Sequence, residues 1–199
     1  MGTRSLFATM FSETALDDAA LLDELAESCR MLAQEDRAGR RWSREHGFRG
    51  YTSYASLNDL PQRDPVIGAL VKRLNRHVAA FAQDCAFDLA RPLRLDSLWV
   101  NVMKRGGTHS GHIHPHSVVS GTLYVAVPPG SGALKLEDPR LAMLMAAPLR
   151  RPDAVEALQP FVYCPPQAGT IFLWESWLRH EVMPSDANDE RISISFNYR

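Results

Sequence analysis

Four of the chain's seven histidines, His109, His112, His114 and His116, crowd into residues 109–116, and His180 follows much later. Clustered imidazoles suit iron, copper, nickel and zinc. Alternate residues of a β-strand share a face, so His112 and His114 can offer two imidazoles to one ion. A third, from His180 on a distant strand, would close one face of an octahedron and leave the other open for substrate and oxygen. The bland reading of the same pair is a polar surface loop, or histidines hydrogen-bonded in a barrel mouth. Context favours ligands: Gly106-Gly107 precedes the pair, a β-rich run follows, and His180 comes after the strand-like run Gly169 to Trp174. The expected ligand set is His112, His114 and His180. Pro115 interrupts regular pairing and makes His116 the weaker candidate. His109 stands at odd spacing from His112 and is expected to point elsewhere. His46 and His77, on the helical half, are expected to be exposed or satisfied in the core.

Arg191 is the second chemical signal. A guanidinium grips a carboxylate bidentately, which an ammonium does less well. Ser193 lies two residues on, hence on the same strand face, and can add a hydroxyl donor. The competing role for Arg191 is a surface ion pair with Glu190 or Asp189, and for Tyr124 a place in the core. Asn101 could donate to a cosubstrate or substrate, or serve as a structural amide. Trp99, Trp174 and Trp177 read as packing residues, one of which could wall the pocket. Asp138-Pro139-Arg140 suits either a loop-fixing ion pair or a substrate clamp. The arginines at 37, 40, 41, 44 and 49 read as a solvated face. Neither a Ser-His-Asp set nor a phosphate-binding glycine loop has a plausible setting.

These side chains need a frame. Leu16, Leu21, Leu22, Leu25, Cys29 and Leu32 form one apolar stripe, which predicts a helix opened by Thr14 with Asp17 and closed near Gly39. Asp64-Pro65 predicts the cap of a second helix, with Ile67, Leu70, Val71, Leu74, Val78, Phe81 and Cys85 on its stripe. Residues 50–54 read as extended. From Leu93 the texture changes to β-type runs split by Gly and Pro, with candidate strands at 95–103, 109–114, 118–127, 133–137, 161–164, 170–174, 178–183 and 190–198. Residues 138–160 read as an insert, a loop with a short helix able to cover a site mouth. Helices followed by about eight strands fit an α+β fold with a jelly-roll or barrel carrying the metal. The expected layout is one domain over 1–199, with 1–92 mainly helical support and 93–199 the metal-binding core.

Composition narrows the class. A length of 199 residues suits a single core, and 45% hydrophobic with 23% charged residues is ordinary for a globular chain. A formal net charge of −1 gives no field for nucleic acid or membrane lipid. No apolar run approaches a membrane span, and no signal-peptide core is visible. Cys29, Cys85 and Cys164 are scattered and odd in number, which suggests free thiols in a reducing cytoplasm.

Several motifs together carry a family resemblance: Trp99-Val100-Asn101, His112-Ile113-His114-Pro115, Ser120-Gly121-Thr122-Leu123-Tyr124, Glu137-Asp138-Pro139-Arg140, Trp174-Glu175-Ser176, and Arg191 to Asn197. With Leu6-Phe7 and residues 50–53, the chain resembles the iron(II)- and 2-oxoglutarate-dependent oxygenases over nearly its whole length. More narrowly it resembles small, mostly bacterial members of unassigned substrate. The resemblance implies a double-stranded β-helix, cupin-like, with supporting helices. It implies Fe(II) and 2-oxoglutarate as cofactors, and dioxygen and a small-molecule or peptide substrate as partners, without nucleic acid or membrane; a homodimer stays open. Arg191 and Ser193 match the positions that hold the 5-carboxylate of 2-oxoglutarate, and Tyr124 one whose phenol often reaches it. The implied activity is hydroxylation of a C–H bond. One departure stands out: His114 occupies the position where the superfamily usually has Asp or Glu. A third neutral imidazole leaves the iron's full divalent charge, which a dianionic 2-oxoglutarate would neutralise. Two other readings stay open: a three-histidine cupin-type dioxygenase without 2-oxoglutarate, and a non-catalytic metal-containing jelly roll that binds a sugar, acid or peptide.

Overall fold

The computed structural model describes residues 2–199. Its helices lie where apolar residues recur every three or four positions. Helix α1 (Ala19–Glu35) buries Leu21, Leu25 and Cys29. Its cap is Asp18, whose side chain accepts from the Leu21 amide and pairs with Arg73. Thr14, half of the cap expected from sequence, lies instead in strand β1 (Phe11–Ala15). Gly39 does not end α1 either. The chain turns at Asp36 and re-enters helix at once as α2 (Arg37–Glu45). A side chain at Gly39 would collide with Asp36, Ser56 and Tyr51, so close approach explains this glycine. After the single turn α3 (Leu60–Arg63), α4 (Pro65–Asp84) starts as the sequence indicates. Asp64 accepts from the Val66 amide, Pro65 is the first helical residue, and Ile67, Leu70, Leu74, Val78 and Phe81 are buried.

Strand β2 (Gly50–Thr52) precedes α3, and the eight strands expected beyond residue 93 all form. They are β3 (Leu95–Met103), β4 (His109–His112), β5 (Val119–Ala126), β6 (Leu134–Glu137), β7 (Phe161–Cys164), β8 (Thr170–Glu175), β9 (His180–Val182) and β10 (Arg191–Tyr198). They build two antiparallel sheets, one ordered β1-β8-β5-β10-β3-β2 and one ordered β4-β9-β6-β7. The fold is α+β. The first 92 residues give the larger sheet both its edges, β1 and β2, as well as the helices. Strand β1 escapes the sequence reading because it pairs only with β8 and alternates weakly in burial.

Alternation along the strands assigns the two faces of the larger sheet. Leu98, Val100, Leu123, Ile171, Leu173, Ile192, Ile194 and Phe196 face the helices and share a core with Leu25, Leu70 and Phe81. On the other face, Tyr124, Phe172 and Trp174 pack against Leu134, Leu136 and Cys164 of the smaller sheet. Strand β10 is the informative case. Its apolar residues alternate with Arg191, Ser193, Ser195 and Asn197, a pattern normally read as one wet face, yet only Ser195 is more than marginally exposed. A polar strand face enclosed between two sheets is built for a polar occupant.

The insert over 138–160 holds two short 3₁₀ turns, Leu141–Met143 and Glu156–Leu158. None of its residues lines the pocket between the sheets. Arg140 pairs with Asp138 bidentately, Nε and Nη2 each donating at 2.9 Å, which makes Asp138-Pro139-Arg140 a local loop brace. Among the described residues no helix is long and apolar enough to cross a membrane.

Candidate metal centre

Register puts the inward side chains of three strands into rows. Ser193 of β10 stands between Asn101 of β3 and Tyr124 of β5; the next row is Trp99, Ser195 and Thr122, and the row after it Ser97, Asn197 and Ser120. Trp174 of β8 sits opposite Ser120, while Arg191 begins β10 at the far end of the ladder, opposite Met103. The smaller sheet faces this ladder with its histidines.

His112 and His180 are direct partners across β4 and β9. One ring nitrogen from each of His112, His114 and His180 lies within 4.8 Å of the other two. Two of the rings are fixed by local backbone. His112 Nδ1 donates to the Ser110 carbonyl (2.7 Å) and His180 Nδ1 to the Leu178 carbonyl (2.8 Å), which frees each Nε2 as a lone pair. The Nε2 atoms of His114 and His180 are 3.2 Å apart, a distance over which they share either one proton or one cation. Burial, reinforced by the neighbouring imidazoles, pushes His114 down to about 4 and His180 down to about 3; His112 is lowered by burial as well. All three rings are therefore neutral near pH 7, the form that binds a metal. The structure brings the three expected candidates together. His116 takes a left-handed backbone (φ 71°) and is exposed outside the group.

Arg191 does not make the surface ion pair considered from sequence. It is 2% exposed, and Glu190 faces Lys104 instead. Its guanidinium donates to the Gly132 carbonyl (3.1 Å) and to Met103 Sδ (3.4 Å), and it lies 5.6 Å from the Tyr124 ring. Its Nε–H has no partner, and no carboxylate among the described residues pairs with it. An unpaired buried cation is costly. Tyr124 is equally enclosed; burial pushes its phenol up to about 12, so it keeps its proton. Ser193 is buried on the same pocket wall, and Asn101 Nδ2 donates to Ser195 Oγ at 3.3 Å. No Asp or Glu lines the pocket, so Arg191 is its one permanent charge. A cation without an anion, beside three neutral imidazoles, is an arrangement able to take a metal ion and an organic acid.

Sequence spacing misplaced His109. His109 was expected to point away, but β4 slips register between His109 and His112, placing Ser110 and Gly111 against the single residue Glu181 of β9. The bulge turns His109 inward, with its ring 4.4 Å from His112. The only cue in the chain is Gly111, a residue that commonly accompanies such a slip. Of the three tryptophans read as packing residues, one of which could wall the pocket, Trp99 and Trp174 both do; Trp174 is 3% exposed and keeps an indole N–H without a partner.

The family model described as "Putative 2OG-Fe(II) oxygenase" matches residues 97–197. No curated protein matches the chain. Several solved structures share its fold. A Pseudomonas putida prolyl-4-hydroxylase is 18% identical, with 96% of this chain and 93% of that chain covered and a TM-score of 0.62. HygX from Streptomyces hygroscopicus, solved with nickel and 2-oxoglutarate bound, is 14% identical, with 96% and 82% covered and a TM-score of 0.63. The carbocyclase SnoK of nogalamycin biosynthesis is 14% identical, with 96% and 79% covered and a TM-score of 0.68. At these identities the likeness carries the fold, the double-stranded β-helix. The family match spans the histidines, Tyr124 and Arg191 on one continuous segment, and on that ground the chain belongs to the 2-oxoglutarate- and iron(II)-dependent oxygenases.

Proposed function

We propose that this oxygenase hydroxylates a small molecule or peptide, with His112, His114 and His180 as the iron ligands and Arg191, Ser193 and Tyr124 as the clamp for 2-oxoglutarate. The observation that carries the reading is Arg191: a buried guanidinium with a free Nε–H and no counter-ion. A dicarboxylic cosubstrate supplies that counter-ion; a dioxygenase working without one would leave the charge unexplained.

The residues fit both groups. Three neutral imidazoles, two with their tautomers fixed by carbonyls, suit a borderline divalent metal. Arg191 would hold the far carboxylate, Ser193 is placed to add its hydroxyl, and Tyr124 retains a phenolic proton to donate. When bound, iron and 2-oxoglutarate supply the oxidising power, consuming dioxygen and releasing succinate and carbon dioxide. The chain's own part is orientation and exclusion of water. The two-sheet core around Phe172, Trp174 and Leu134 closes the inner end of the pocket. Phe48 and Trp99 line its wall, which leaves the mouth for the substrate.

We also read the chain as one domain, since β1 and β2 from its first part complete the sheet that carries Arg191. Its unpaired cysteines suit a reducing cytoplasm. Calorimetry of 2-oxoglutarate binding to anaerobic, iron-loaded protein tests the clamp. Arg191→Met should weaken binding by more than about tenfold, the worth of a charge-assisted pair, with iron affinity retained. Equal binding by both proteins would overturn it.

A further inference from the structure

Trp174 carries a second unpartnered donor in the same pocket. Its side chain is 3% exposed, and its Nε1–H meets no acceptor. Buried N–H groups are nearly always paired, because an orphan costs about 1–3 kcal/mol. This one sits in the pocket wall, with the indole ring 4.6 Å from the His180 ring and edge-on to it. Phe11 lies against the other side of the indole (6.5 Å between centroids), and the partner across the ladder is Ser120. Ser120 does not relieve it: its hydroxyl engages Ser176 and Asn197, and the indole N–H makes no hydrogen bond to it. Beyond its larger ring, the indole brings a hydrogen-bond donor that a phenylalanine at this place would lack.

Position along the ladder indicates what that donor meets. Arg191 and Trp174 mark opposite ends of the inner face, with Trp174 at the histidine end. A dicarboxylate held at Arg191 by one end presents its other, oxo-acid end to the histidines. Beyond the carboxylate held at Arg191, that group is the only negative charge within reach of the indole, since no acidic residue lines the pocket.

We infer that Trp174 is a positioning residue for the cosubstrate, its indole N–H donating to the oxo-acid end of 2-oxoglutarate while Arg191 holds the far carboxylate. The inference rests on the 2-oxoglutarate reading given above. It makes the clamp two-ended. The orphan N–H is then an acceptor site kept open for the ligand, at a cost to the ligand-free fold.

Trp174→Phe removes the donor and keeps most of the ring, and two readouts besides turnover test it. In anaerobic calorimetry on iron-loaded protein, the substitution should weaken 2-oxoglutarate binding about tenfold, as loss of one hydrogen bond to a carboxylate does. Iron affinity should stay unchanged. In thermal unfolding without ligand, removal of the unsatisfied donor should offset the smaller ring's lost packing, leaving the melting point near that of wild type. The shift that saturating 2-oxoglutarate adds should shrink. Unchanged 2-oxoglutarate affinity overturns the inference and assigns the N–H to water or substrate. A variant that melts lower with its ligand-induced shift intact overturns it too, in favour of packing. Failure of wild type itself to bind 2-oxoglutarate overturns the functional reading, and this inference with it.

Discussion

At the scale of single residues, the site is defined by what its polar atoms lack. His112 and His180 each spend one nitrogen on a carbonyl and keep the other free, while Arg191 and Trp174 each keep a buried N–H unpaired. Replacing His112, His114 or His180 with Ala should lower Fe(II) affinity more than about 100-fold, beyond the range for losing a metal ligand's hydrogen-bond partner. Competition against a colorimetric chelator reads this directly. A His114→Ala protein that binds iron like wild type would remove His114 from the ligand set. His109→Ala, by contrast, should leave iron affinity intact, since His109 lies outside the three-nitrogen group although its ring touches His112. The grouping of His112, His114 and His180 was legible from the His-x-His spacing, although β4 ends at His112 and leaves His114 just beyond the strand expected over 109–114. His109 was not, because a bulge changes the strand period and leaves only a glycine as its trace.

At the scale of elements, β10 and β5 carry the argument. The alternation Arg-Ile-Ser-Ile-Ser-Phe-Asn-Tyr was readable as a strand, and its bounds and polar face match the sequence reading. That the polar face lies inside was not readable, since it depends on the smaller sheet closing over it. Gly121 lets β5 sit close to its neighbours: a side chain there would run into Phe196 and Leu173. Gly121→Ala should cost about 1–3 kcal/mol through overpacking, measured as a lower urea midpoint with unchanged slope. No loss would mean that Phe196 and Leu173 have room to move. The early elements were half legible. Asp64-Pro65 fixed the start of α4, whereas the break at Asp36 was hidden because two helices abut there. The edge strand β1 lacks the alternation that marks a strand in sequence.

At the scale of the whole molecule, two sheets enclose a pocket whose imidazoles are held neutral, and this couples stability to pH. His114 and His180, lowered to about 4 and about 3 by burial, bind fewer protons folded than unfolded, where an ordinary histidine titrates near about 6.5. Their contribution is intact above that pH and is lost as pH falls toward the folded values. Thermal midpoints of chelator-treated protein should therefore drop between about pH 6.5 and pH 4, and bound iron should blunt the drop by competing with protons. A flat profile without metal would mean that the histidines are not shielded in this way. The central claim is that the triad and Arg191 serve one cosubstrate. Its most direct test is anaerobic addition of Fe(II) and 2-oxoglutarate to the wild type and to Arg191→Met, followed by visible absorption. The expected result is the charge-transfer band of the iron–oxo-acid chelate in wild type, saturating at one 2-oxoglutarate per iron, and a far higher concentration requirement in the variant. Iron bound by wild type without such a band at any 2-oxoglutarate concentration would contradict the claim.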